Sequence, residues 1–126
     1  MSMNESAEMY LETIYILARK NPAVRSVDVA EALNYSRPSV SRAVGLLKKD
    51  DYLVMDPDGF LVLTEKGTAA AEKIYERHTV LAAALMALGV DTESAADDAC
   101  RIEHVISDKS LDAIKAHMQK YEKSTV

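Results

Sequence analysis

This chain of 126 residues is poor in the residues that staple, kink or anchor a fold: one cysteine, three prolines and four glycines. One cysteine cannot form an internal disulfide, so packing must hold the fold, and a reducing cytoplasm is the expected home. No apolar run approaches the roughly 18 residues of a membrane span, and no membrane association is expected. The opening Met1-Ser-Met-Asn-Glu-Ser-Ala-Glu8 lacks a basic start and an apolar core, so it does not read as a signal peptide. The glycines, at 45, 59, 67 and 89, are scattered, which excludes a glycine-rich phosphate loop. No serine or cysteine nucleophile is paired with a base, and the three histidines form no hydrolase motif. An enzyme is therefore not expected. Basic charge is also short. The net charge of −5 argues against nonspecific nucleic-acid binding by the chain as a whole.

What charge there is lies unevenly. Residues 36–49 carry Arg37, Arg42, Lys48 and Lys49 and no acid. Residues 91–108 carry Asp91, Glu93, Asp97, Asp98, Glu103 and Asp108 against Arg101 alone. DNA suits the first stretch and a metal cation the second.

The periodicity predicts a mainly α protein with one small β-hairpin. Residues 6–20 read as a helix with a broad apolar face, stopped by Asn21-Pro22. Ser26, with Asp28, opens a short helix packed through Val27, Val29, Ala30 and Leu33. Asn34-Tyr35-Ser36 is a turn, and Ser36 and Pro38 suit the start of the next helix. In that helix Val40, Val44 and Leu47 lie inward, while Ser39, Ser41, Arg42, Gly45 and Lys48 lie outward. Two short helices joined by a tight turn, the second polar and basic outside, form a helix-turn-helix. Tyr52–Met55 and Phe60–Leu63 read as strands around the turn Asp56-Pro-Asp-Gly59, and this hairpin is a wing. Its acids argue against close contact with DNA. Thr64 caps a helix of about 65–88, ended by Gly89. Residues 92–122 read as two helices broken near Ser107-Asp108. The winged helix is expected over 1–70 and a helical domain over 71–126. Leu81, Leu85, Leu88, Ile106, Leu111, Ile114 and Met118 exceed what so short a region can bury alone, which predicts a homodimer.

Cys100, Glu103 and His104 stand at i, i+3 and i+4, one face if the segment is helical. Thiolate, carboxylate and imidazole together suit a divalent transition metal. A lone cysteine is more often a small buried hydrophobe, and Met9 in an apolar helix is more often core. Glu12, however, shares the face of Met9 and needs a partner or a cation there. His78 reads by default as a hydrogen-bonded core histidine. Outward Ser39, Ser41 and Arg42 suit the major groove, with Arg42 the best base reader. Arg37, Lys48 and Lys49 suit phosphates. Two other readings stay open: a winged-helix sensor of oxidant or organic ligand acting through Cys100, and a small metalloenzyme or metal store using the same cluster.

Several stretches resemble the DtxR/MntR family, the diphtheria-toxin-repressor and manganese-transport-regulator group of metal-dependent repressors. They are Glu8-Met-Tyr-Leu-Glu-Thr-Ile-Tyr15, Val27-Asp-Val-Ala-Glu-Ala-Leu33, Arg37-Pro-Ser-Val40, Leu63-Thr-Glu-Lys-Gly67, Glu76-Arg-His78, Leu88-Gly-Val90 and Ala99-Cys-Arg-Ile-Glu-His-Val-Ile-Ser-Asp108. The resemblance implies a winged helix joined to a helical dimerisation domain, with metal binding favouring a DNA-competent dimer that represses metal-uptake genes. It places the ligands at Met9, Glu12, His78, Cys100, Glu103 and His104. It also implies a short form without the extra C-terminal domain of longer iron-type members. Met9 and Cys100 match the iron-type pattern and Glu12 the manganese-type. Ala82 and Ala96 stand where iron-type members carry second-site ligands, so that site is expected to be broken. Thioether and thiolate favour Fe²⁺, with Mn²⁺ next; Co²⁺, Ni²⁺ or Zn²⁺ can substitute. The expected partners are double-stranded operator DNA, a pseudo-palindrome, and a second copy of the chain.

Overall fold

A computed structural model of the chain describes residues 5–124. The order of elements is α1 (Glu5–Lys20), α2 (Ser26–Leu33), α3 (Arg37–Lys49), β1 (Leu53–Met55), β2 (Leu61–Leu63), α4 (Glu65–Ala87), α5 (Thr92–Ile102) and α6 (Asp108–Ser124). The chain divides into two compact units that part between Lys73 and Ile74, within α4.

The first unit is a winged helix. Leu11 and Ile14 of α1, Val29 of α2, Val40, Val44 and Leu47 of α3, and Leu53 and Leu61 of the hairpin form one buried cluster. The inward set expected of α3 is thus buried, and Arg37, Ser41, Arg42, Lys48 and Lys49 are exposed. The start of α3 follows its sequence signals: Ser36 Oγ accepts from Ser39 N at 3.3 Å, and Pro38 lies in the first turn. α2 opens at Ser26, as expected, and Asp28 takes part in its cap: Arg25 is the N-cap, in extended backbone, and Asp28 Oδ2 accepts from Arg25 N at 2.8 Å. Asn34 closes α2 in the left-handed conformation.

The hairpin is antiparallel, with Val54 opposite Val62 and Gly59 at φ +86° in its turn. Asp56 Oδ1 accepts from both Asp58 N and Phe60 N at 2.9 Å, so this acid is spent inside the turn. Leu61 N also donates to Val24 O at 2.7 Å, which ties the wing to the segment before α2. Thr64 caps α4 by accepting from Gly67 N at 3.0 Å. Gly67 has no room for a side chain: a Cβ there would stand 1.8 Å from the Tyr52 carbonyl oxygen.

The second unit comprises the rest of α4 with α5 and α6. Its buried cluster is small: Leu81, Ala99 and Leu111, with Val80, Ala82, Ile102, Ile106 and Ile114 packed against it. Leu81 and Leu111 are therefore spent within the unit, which removes them from the set expected to face a second copy. Leu88, Met86 and Val105 remain exposed. Gly89 at φ +101° follows α4 as expected. The break between the last two helices spans 103–107 rather than centring on Ser107-Asp108.

Candidate metal centre and nucleic-acid interface

That break reshapes the Cys-Glu-His triplet. Cys100 lies in α5, Glu103 is its C-cap, and His104 sits in the following turn. The expectation of one continuous helical face is corrected in this respect. Glu103 N still donates to Ala99 O at 2.9 Å, so the backbone leaves the helix only after the carboxylate is placed. One ligand atom from each of Cys100, Glu103 and His104 lies within 4.8 Å of the others.

Glu103 is completely buried. An ionised carboxylate in that position is costly unless hydrogen-bonded or paired. His78 Nδ1 stands 2.9 Å from Glu103 Oε2, and His104 Nε2 stands 3.3 Å from Oε1. Two imidazoles thus flank the two oxygens of one carboxylate. Arg77, next to His78 on α4, donates from Nη1 to the Glu103 carbonyl oxygen at 3.2 Å and from Nη2 to Asp108 Oδ1 at 2.7 Å. The sequence reasoning passed over Arg77. Its spacing carries no signal for these contacts, since both partners lie at least 26 residues away.

In the first unit Glu12 is buried on α1, and its Oε2 has no hydrogen-bond partner among the described residues. Met9 is half-buried one turn earlier. A buried carboxylate oxygen without a donor is the condition a cation would relieve. The donor chemistry of Met9, Glu12, Cys100, Glu103 and His104 fits a divalent transition metal.

The exposed face of α3 carries Ser41, Arg42, Lys48 and Lys49, with Arg37 at its start. Ser39 is half-buried, and its hydroxyl accepts from Ser36 Oγ at 2.8 Å within the cap. Tyr10 meets Tyr35 edge-on, with ring centroids 5.9 Å apart. Burial raises the Tyr10 hydroxyl above its ordinary pKa of 10.0; Tyr35 adds to the rise and the Arg42 charge opposes it. Arg25, also passed over in the sequence, stacks its guanidinium 4.4 Å from the centre of the Phe60 ring. It brings a cation to a wing that reads as acidic.

Comparison with known proteins follows the same division. Residues 2–61 match the iron-dependent repressor N-terminal DNA-binding domain, and residues 64–125 match the iron-dependent repressor metal-binding and dimerisation domain. The chain belongs to the DtxR/MntR family. Members of this family are metal-dependent, DNA-binding transcriptional regulators and not enzymes. A helix-turn-helix-type regulator of Methanocaldococcus jannaschii, itself uncharacterized, is 33% identical over 94% of this chain and 97% of its own length. The regulator MntR of Bacillus pumilus is 39% identical over 94% of this chain and 83% of its own. The manganese regulator SloR has a solved structure with a TM-score of 0.80 and 28% identity over 94% of this chain. This chain spans 55% of that one, about half its length. Within the family pattern, Ala82 packs in the small cluster of the second unit and Ala96 lies half-buried on α5. Neither methyl group can ligate.

Proposed function

We propose that this chain is a metal-activated, dimeric repressor that binds a pseudo-palindromic operator and controls genes of metal-ion homeostasis. The observation that carries the reading is the gathering of Cys100, Glu103 and His104 ligand atoms within 4.8 Å in a chain that also exposes a basic recognition helix. The ligand set is Met9, Glu12, His78, Cys100, Glu103 and His104. When bound, the metal supplies positive charge that stabilises the buried carboxylates. The division of labour follows the chain, with DNA reading in about 1–70 and metal binding and dimerisation in about 71–126.

Exposed Leu88, Met86 and Val105 support burial against a second copy through the helical unit. Such a dimer presents two readers about 34 Å apart. Arg42 and Ser41 read base edges, with Ser39 at the entry of the helix. Arg37, Lys48 and Lys49 hold phosphates. No described helix is long and apolar enough to cross a membrane; the site of action, beside DNA, is the cytoplasm.

The soft donors Met9 and Cys100 favour Fe²⁺ as the activating ion, with Mn²⁺ next because Glu12 and Glu103 keep hard oxygen in the set. The test is operator binding titrated with Fe²⁺, anaerobically, and with Mn²⁺, Co²⁺ and Zn²⁺. Metal-independent binding, or none at all, overturns the reading. Met9→Asp is expected to move the ranking toward Mn²⁺. An unchanged ranking returns Met9 to the hydrophobic core.

A further inference from the structure

We propose that Arg77 is the positioning residue of the metal centre: its guanidinium sets the turn that carries Glu103 and His104 before any metal arrives. The proposal rests on the reading of Cys100, Glu103 and His104 as ligands.

The physical problem lies at the end of α5. A helix leaves its last carbonyls without intrahelical donors, and its C-terminus favours a cation. Here that terminus also has to present two ligands from a turn, where the helix no longer dictates their geometry. Arg77 answers from α4. One arm of its fork donates to the Glu103 carbonyl oxygen and the other to Asp108, the first residue of α6. A single planar group therefore spans residues 103–107 and fixes both ends. His78, the next residue on α4, stands within hydrogen-bond distance of the Glu103 carboxylate. Consecutive residues thus hold the backbone and the side chain of the same ligand.

The placement is not explained by stability alone. The Arg77 side chain is 13% exposed, and its Nε is buried without a hydrogen-bond partner among the described residues. An unsatisfied buried donor is unfavourable, and an apolar side chain of similar volume avoids that cost. What an apolar residue cannot do is bridge a carbonyl and a carboxylate at once. Lysine can reach one of them, since it lacks the rigid fork.

The experiment uses the full chain and Co²⁺ as probe, followed by absorbance. The wild type should show a thiolate-to-cobalt charge-transfer band that Cys100→Ala lacks. Arg77→Gln should then bind Co²⁺ roughly 10- to 100-fold more weakly, as loss of outer contacts does at metal sites, with the same spectrum at saturation. Arg77→Lys should recover part of that affinity. Amide hydrogen exchange in the metal-free protein should rise across 103–107 and stay unchanged in the first turn of α5. Asp108 is exposed, so Asp108→Ala removes one arm in a variant that folds; it should weaken Co²⁺ binding in the same direction and by less. Wild-type affinity in a folded Arg77→Gln, or exchange rising evenly through the unit, overturns the role of Arg77. Should Arg77→Gln not fold, unchanged affinity and unchanged turn exchange in Asp108→Ala overturn it. A wild type without the charge-transfer band overturns the ligand reading, and the role of Arg77 with it.

Discussion

The two units of this chain solve the folding problem with different materials. The winged helix buries large aliphatic side chains from α1, α2, α3 and both strands, and Leu11, Ile14, Val29 and Val40 are fully enclosed. The helical unit buries Leu81 and Leu111 around alanines, leaves Leu88 81% exposed, and encloses the charged Glu103. Apolar burial stabilises without any partner, at roughly 25 cal/mol per Å². A buried carboxylate stabilises only when something cationic or protic answers it. Each unit thus carries one buried carboxylate, Glu12 and Glu103, but the first sets it against a large apolar core and the second against a small one, so the second depends more on what binds it. That contrast suits a sensor, because only a unit with an unmet demand can respond to a metal.

The sharpest way to break the contrast is through the first core. Leu11→Ala should cost roughly 2–5 kcal/mol, read by urea denaturation, and the loss should be the same with and without metal. A clearly smaller loss with metal than without it would show that metal also shores up this core. Next in size is the response of the second unit. Metal at a hundred times its dissociation constant should stabilise the protein by about 2.7 kcal/mol. Thermal melts of Cys100→Ala should lose most of that gain while the metal-free melt stays close to wild type. An unchanged gain would remove Cys100 from the ligand set.

The third prediction separates the reading face from the sensing unit. Arg42→Ala should cost roughly 1–3 kcal/mol of operator affinity and relax preference at one base step per half-site. Lys48→Ala should weaken all sequences alike and lower the salt slope by about 1. Neither should change Co²⁺ affinity. Identical, sequence-independent losses would demote Arg42 to a phosphate contact. The smallest effect concerns pH. Hydrogen bonds from the Ser94 backbone and then its side chain hold Asp91 below its ordinary value of 3.8. A carboxyl lowered by folding contributes stability above its unfolded pKa and loses it as pH falls through the folded one. Asp91→Ala should therefore lower stability slightly at neutral pH, flatten the acid limb of the profile below about pH 4, and leave stability at the acid end of that limb nearly unaffected. An acid limb of unchanged slope would assign that limb to other carboxyls.

The sequence by itself determined whatever is decided within a few residues. Ser36 and Pro38 start α3, Thr64 starts α4, and Asp56-Pro-Asp-Gly59 turns the wing, because caps and turns close their hydrogen bonds over two to four positions. The inward Val40, Val44 and Leu47 and the outward Ser41 and Arg42 follow from the helical period alone. The chemistry of Cys100, Glu103 and His104 was equally legible, since it depends on residue type and near spacing. Only the tertiary structure decided how that chemistry is held. It ends α5 at Ile102, encloses Glu103, and brings His78 and Arg77 to it across at least 25 residues. It also presses Gly67 against the Tyr52 carbonyl and spends Leu81 and Leu111 inside their own unit. Contacts between distant segments depend on how helices pack, and no local pattern encodes that packing. For this reason the grouping of Cys100, Glu103 and His104 could be read from the chain, but the contact of Arg77 with Glu103 could not.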